Sequence, residues 1–206
     1  MTAIPPPTTE NNLNLPNVIT FARLALSFVL FGMMSAGVGW LWSAGLFVFA
    51  VLTDILDGWI ARKYQLITQL GRIMDPFVDK FITSGVFLFL LPYPESGVSA
   101  WMVVAIIGRE MLVTSLRGFL EQRGADFSAS ASGKLKMFLQ CVAATLALVT
   151  MDPRFQSAPL PLIRNITLWA MTAFTLYSGY VYIVRARTLL RQINEIHASS
   201  PPPPSP

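Results

Sequence analysis

Apolar residues run along the chain in six long stretches, 18–36, 40–61, 71–91, 98–120, 132–151 and 160–184. Each is close to the roughly 20 residues that a helix needs to cross the hydrocarbon core of a bilayer. Turn signals rich in Gly, Pro and Asp separate them at 37–39, 92–97 and 152–161. The pattern predicts an all-α integral membrane fold of six transmembrane helices over residues 15–191. A Pro-containing segment, 1–14, precedes it and a Pro-rich tail, 192–206, follows; both are expected to be disordered. No basic stretch precedes the first apolar run, so no cleaved signal peptide is expected.

Composition narrows the picture. The chain is 53% hydrophobic and 13% charged, with a mean hydropathy of +0.55, against roughly 25% charged residues in soluble domains. With 14 Phe, 5 Trp and 5 Tyr the chain demands burial, which excludes intrinsic disorder. The single Cys excludes a disulfide framework. A net charge of +4 would suit a nucleic-acid partner only if the basic residues shared a soluble face. Instead they cluster where apolar runs end: Arg62, Lys63 and Arg72, then Arg123, Lys134 and Lys136, then Arg185, Arg187 and Arg191. The opposite connections carry Glu95, Asp152 and Arg154, with Arg164 nearby. The positive-inside rule puts both termini and the basic loops in the cytoplasm. Membrane lipid, not nucleic acid, is the expected partner.

The chemistry lies in charges placed inside apolar runs, where a carboxylate is costly unless paired, hydrated or bound to a cation. Asp54 and Asp57 end the second run, and Asp75 and Asp79 begin the third. On a helix, Asp54, Asp57, Gly58, Ala61 and Arg62 share one face, as do Gly71, Asp75 and Asp79. A short connection makes the two helices antiparallel neighbours, so both pairs are expected to face each other near the cytoplasmic ends. Protonation, a proton path or helix pairing would each relieve the repulsion. So would divalent cations, and an all-oxygen cluster suits Mg²⁺ or Mn²⁺. Two such ions drive displacement at phosphorus in many enzymes. Gly58, Ala61 and Gly71 leave that side without bulk, either for close helix packing or for a nucleotide diphosphate approaching the backbone.

Residues 54–79 contain the spacing D-x-x-D-G-x-x-A-R-x8-G-x-x-x-D-x-x-x-D without a departure. Eight fixed identities arise by chance on the order of once in ten billion starting positions. The segment resembles the signature of the CDP-alcohol phosphatidyltransferase family, and six helices fit that family's architecture. The resemblance implies that Asp54, Asp57, Asp75 and Asp79 hold two divalent cations. It makes Asp79 the general base and puts Gly58, Ala61, Arg62 and Gly71 against the CDP group. No cysteine or histidine nucleophile is required, so Cys141 is expected as core filler and His197 as tail surface. A homodimer is implied as well.

The acceptor is read from other residues. The stretch Gly108-Arg109-Glu110, continuing to Arg117, and Gly133-Lys134-Leu135-Lys136 resemble the branch of the family that uses glycerol 3-phosphate. So does the opening Leu15-Pro16-Asn17 with Thr20 and Arg23, where Asn17 and Thr20 either contact CDP or cap the first helix. A phosphorylated acceptor needs cations, and Arg109 inside an apolar run needs an anion. Arg109 and Arg117 lie about 80° apart on a helix and can share one cavity. Lys134 and Lys136 lie about 200° apart, so one of them, expected to be Lys134, faces the site. Each of these cations has an alternative role as an anchor to lipid headgroups. The expected reaction joins CDP-diacylglycerol and glycerol 3-phosphate into phosphatidylglycerol phosphate and CMP. It is set at the cytoplasmic face of a bacterial inner (plasma) membrane. Inositol phosphate, serine or phosphatidylglycerol are alternative acceptors, and an ion- or proton-coupled transporter is the alternative of another class.

Overall fold

The computed structural model describes residues 15–63, 69–123, 131–157 and 159–199; the side chains of residues 15–16, 55, 57–62, 69, 72, 131–132, 134 and 192–199 lie outside that description. It is built of six long helices: α1 (Leu15–Ser35), α2 (Trp40–Lys63), α3 (Gln69–Leu90), α4 (Ala100–Glu121), α5 (Ala131–Val149) and α6 (Leu160–Ser199). The shortest of them has 19 residues, enough at 1.5 Å per residue to extend about 28 Å.

The breaks fall where the backbone chemistry demands them. Gly37 and Gly39 adopt positive φ between α1 and α2, a region open to glycine without a Cβ clash. Between α3 and α4, Pro94 starts a single 3-10 turn, Gly97 closes it at φ 71, and the Ser99 side chain accepts from the Met102 amide to cap α4. Between α5 and α6, Asp152 caps a second 3-10 turn, taking hydrogen bonds from the backbone and side chain of Arg154. Those bonds hold the Asp152 carboxyl below its ordinary range.

α1 packs against both α2 and α3, which touch each other at few places. Among the described residues α1 thus forms the main packing partner of both helices. α6 packs on α4 and α5, and α2 and α3 also meet α5. The core these contacts make is apolar, with Leu30, Phe47, Phe87, Ile106, Leu148 and Met171 fully buried. At the end away from the carboxylates, the buried Arg164 guanidinium gathers loose ends. It donates to the Glu95 carbonyl, to Thr150 Oγ1 at 3.1 Å and to Asn165 Oδ1.

Two expectations change. Among the described residues only α1, over Asn17–Ser35, is both long and apolar enough on its own to cross a membrane. Among the described residues α2 and α5 also carry shorter apolar stretches, Trp40–Asp54 and Leu135–Val149. α3 and α4 carry several charges within their length. α6 runs on past 184 to Ser199, so the expected tail boundary at 191 falls inside a helix. Past the apolar run Ala186 is still buried and Leu189 and Leu190 pack against the same cluster as Val113, Leu120 and Tyr182, so the helix continues through the Arg-bearing segment.

Close approach of α1 and α3 depends on Gly85. A Cβ built there meets the Phe31 ring, and that ring is pinned by stacking on Phe89 at 4.8 Å and edge contact with Phe81 at 5.5 Å. Gly85→Ala should therefore lower stability by about 1–3 kcal/mol, measured by unfolding in detergent micelles. An unchanged unfolding midpoint would mean that the two helices are not in this register.

Candidate active site

The acidic residues converge through α1. Arg23, one turn into the apolar body of that helix, is only 2% exposed. Its guanidinium bonds Asp54 of α2 and lies 3.6 Å from Asp79 of α3. One turn earlier, the Thr20 hydroxyl donates to Asp75 Oδ1 at 2.6 Å. Asn17, a further turn back on the same face, is buried too. Thr20 lies inside the helix and spends its hydroxyl on α3, so it is not a cap. Asp75 and Asp79 share a face of α3 interrupted by Pro76, which has no amide for the helical ladder and loosens the backbone beside both carboxylates.

Of the expected site residues, the structure brings Asp54, Asp75, Asp79, Asn17 and Thr20 to one end of the bundle, and Gly71 is buried at the start of α3. The side chains of Asp57, Gly58, Ala61, Arg62 and Lys134 lie outside the description. Among the described residues no three acidic, His or Cys side chains group closely enough to hold a metal ion.

Beside this cluster opens a cavity of about 490 Å³ walled by α3, α4, α5 and α6. Asp79 lines it, together with Arg109, Arg117, Lys136 and Lys80, so the last motif carboxylate belongs to both halves of the site. Arg109 and Arg117 do share one cavity, as their spacing predicts. On α5 Lys136 lines the wall, on one helix face with Gly133 and Gln140; the Lys134 side chain lies outside the described residues. Gly133 keeps that wall close: a Cβ there would lie 3.1 Å from the Tyr182 hydroxyl oxygen.

The cations are held firmly. Arg109 Nε donates to Ser178 Oγ at 3.1 Å, and its guanidinium lies over the Tyr182 ring at 5.2 Å. Lys136 Nζ bonds Glu110, which Arg109 Nη1 also approaches at 3.4 Å. Lys80 donates to Thr114 Oγ1. Three buried donors on this wall are without a partner among the described residues: Arg109 Nη2, Arg117 Nε and Gln140 Nε2. Buried donors in that state cost free energy until an acceptor arrives, and three together, two of them on guanidinium groups, suit an anion with several oxygens.

Sequence reasoning gave no site role to Arg23, Lys80, Gln140, Ser178 or Tyr182. Signals were present for some. Arg23 is an unexplained charge inside an apolar run, Lys80 adjoins Asp79, and Gln140 follows Lys136 by four residues, on one helix face. Ser178 and Tyr182 gave none, because only the α4–α6 packing brings them to Arg109.

The sequence profile described as CDP-alcohol phosphatidyltransferase matches residues 13–177. A Bacillus subtilis protein named CDP-diacylglycerol–glycerol-3-phosphate 3-phosphatidyltransferase is 34% identical over 195 residues, covering 88% of this chain and 99% of its own length. A Rickettsia bellii protein of the same name is 37% identical over 175 residues, 82% of this chain and 93% of its own. A Mycobacterium tuberculosis protein named probable phosphatidylglycerophosphate synthase is 32% identical over 197 residues, 91% and 87% respectively.

Removing one member of a buried ion pair strands the other. Arg23→Gln should cost about 3 kcal/mol in unfolding experiments, and adding Asp54→Asn should restore part of that loss. Additive losses in the double variant would contradict the pairing.

Proposed function

We propose the following activity for this chain, which belongs to the CDP-alcohol phosphatidyltransferase family: transfer of a phosphatidyl group from CDP-diacylglycerol to glycerol 3-phosphate, giving phosphatidylglycerol phosphate and CMP. The observation that carries the choice of acceptor is the cavity whose cations and unpartnered donors adjoin Asp79. The names borne by relatives that match most of the chain agree with it.

In this reading Arg109, Arg117, Lys136 and Gln140 hold the acceptor's phosphate, with Lys134 offered as a further contact. The acceptor's hydroxyl then lies toward Asp79, which takes its proton. The hydroxyl oxygen bonds the phosphatidyl phosphorus, and the bond from that phosphorus to the diphosphate bridging oxygen breaks. CMP leaves with that oxygen, and the lipid phosphate stays in the product. Asn17, Thr20, Gly58, Ala61, Arg62 and Gly71 surround the CDP group.

Asp54, Asp57, Asp75 and Asp79 would hold two divalent cations, Mg²⁺ or Mn²⁺. The donor set fits them, since carboxylate oxygens from α2 and α3 reach one positive centre, the Arg23 guanidinium. Such ions, when bound, neutralise the diphosphate and orient the attacking oxygen.

The reading includes six membrane-crossing helices, the site at the cytoplasmic face of a bacterial inner membrane, and a homodimer. Support for the crossings is the outer surface of the bundle. Phe28, Trp101, Ile166 and Trp169 are each more than half exposed there, which favours lipid over water.

Purified protein should release CMP only when CDP-diacylglycerol, glycerol 3-phosphate and Mg²⁺ or Mn²⁺ are all supplied. Turnover with an unphosphorylated acceptor such as serine, and none with glycerol 3-phosphate, would overturn the choice of acceptor; inositol phosphate is the control for a different phosphorylated one. Asp79→Asn should lower kcat by about 10²–10⁴-fold. In a separate measurement, Arg109→Gln should raise KM for glycerol 3-phosphate about tenfold or more while leaving KM for CDP-diacylglycerol near its original value.

A further inference from the structure

The cation that lines the α5 wall of the cavity already has an anion. Glu110 presents one oxygen to both Lys136 Nζ and Arg109 Nη1. All three side chains line the same cavity, and each is nearly buried, with exposures of 12%, 6% and 8%. Glu110 is no part of the acidic motif, and no step of the transfer uses it.

We propose that Glu110 is a built-in stand-in for the acceptor's phosphate. Its carboxylate holds Lys136 and Arg109 until the acceptor arrives, then gives them up, and so sets the affinity for acceptor and the ease of product release. The inference rests on the reading of the acceptor as a phosphorylated alcohol.

Two physical points carry it. A buried ammonium and guanidinium with no counter-ion would be strongly destabilising, so a cavity waiting for a phosphate needs an anion of its own. A carboxylate supplies that charge but does not satisfy the wall, because Arg109 Nη2, Arg117 Nε and Gln140 Nε2 stay without partners. A phosphate dianion carries more charge and more acceptor oxygens. It can take over Lys136 and Arg109 while also reaching the remaining donors.

Binding is therefore an exchange of one anion for another. The cations never pass through an unpaired state, and the tighter-fitting anion wins by the donors that the carboxylate leaves unused. Lys80, which lines the same cavity and bonds Thr114 one turn along α4 from Glu110, offers the displaced carboxylate a second cation. The same competition works in reverse. The product keeps the acceptor's phosphate, and Glu110 returning to Lys136 helps to expel it.

Glu110→Gln separates this role from a merely architectural one. It removes the competing charge and keeps the size, so KM for glycerol 3-phosphate should fall at least threefold. The inhibition constant of inorganic phosphate should fall by a similar factor, and kcat should not rise. In detergent micelles, inorganic phosphate should raise the unfolding temperature more for Glu110→Gln than for the unaltered chain, whether or not the variant turns over. A KM that rises or stays level, with an equal or smaller phosphate shift, would overturn the proposal. If the Gln variant does not fold, Glu110→Asp carries the test: the retracted carboxylate competes less, and a KM that fails to fall contradicts the idea. An enzyme that rejects glycerol 3-phosphate altogether would instead overturn the proposed function, since the phosphate shift reports on Glu110 alone.

Discussion

A guanidinium buried among carboxylates is the constraint on which the site end of this bundle depends. Arg23 is 2% exposed, and its charge is made tolerable there by Asp54 and Asp79, which meet it from two other helices. The converse holds with equal force. Two carboxylates from separate helices repel, and the arginine gives them a reason to stay. The three-way contact, reinforced by Thr20 on Asp75, fixes the register of α1 against α2 and α3 at one end of the bundle. At the other end the neutral acceptors around Arg164 tie the loops down.

The polar cavity inherits its position from that arrangement. Asp79 faces the Arg23 cluster on one side and the cavity on the other, so the acidic cluster and the cationic wall are joined through a single residue. The wall is overcharged on purpose. It is rich in cations and orphaned donors, and it is steadied by the Glu110 carboxylate and by the hydroxyls of Ser178 and Thr114. Such a wall is preorganised for a multivalent anion, because its donors are already desolvated and oriented before any ligand arrives.

Much of this was legible in the residue order. Six apolar runs became six helices, since length and periodicity depend on local composition. The aspartate spacing pointed to the end of the bundle where Asp54, Asp75 and Asp79 gather, because unpaired carboxylates are rare inside apolar runs and their offsets put them on single helix faces. What was not legible is what depends on packing between distant elements. The close approach of α1 to α3 follows from Gly85 receiving the Phe31 ring, which no pattern in either run announces. That Lys136 lines the cavity follows from which face of α5 meets α4 and α6. The end of α6 was misplaced for a related reason, since hydropathy reports where a helix leaves the apolar layer and not where it stops.

The central claim is that acidic groups of α2 and α3 meet at one place and together hold a pair of divalent cations. Electron paramagnetic resonance of Mn²⁺ bound to the purified chain, with CDP-diacylglycerol present, tests it most directly. The account predicts two spin-coupled Mn²⁺ per chain. A lone uncoupled ion, or no retained Mn²⁺, would contradict it.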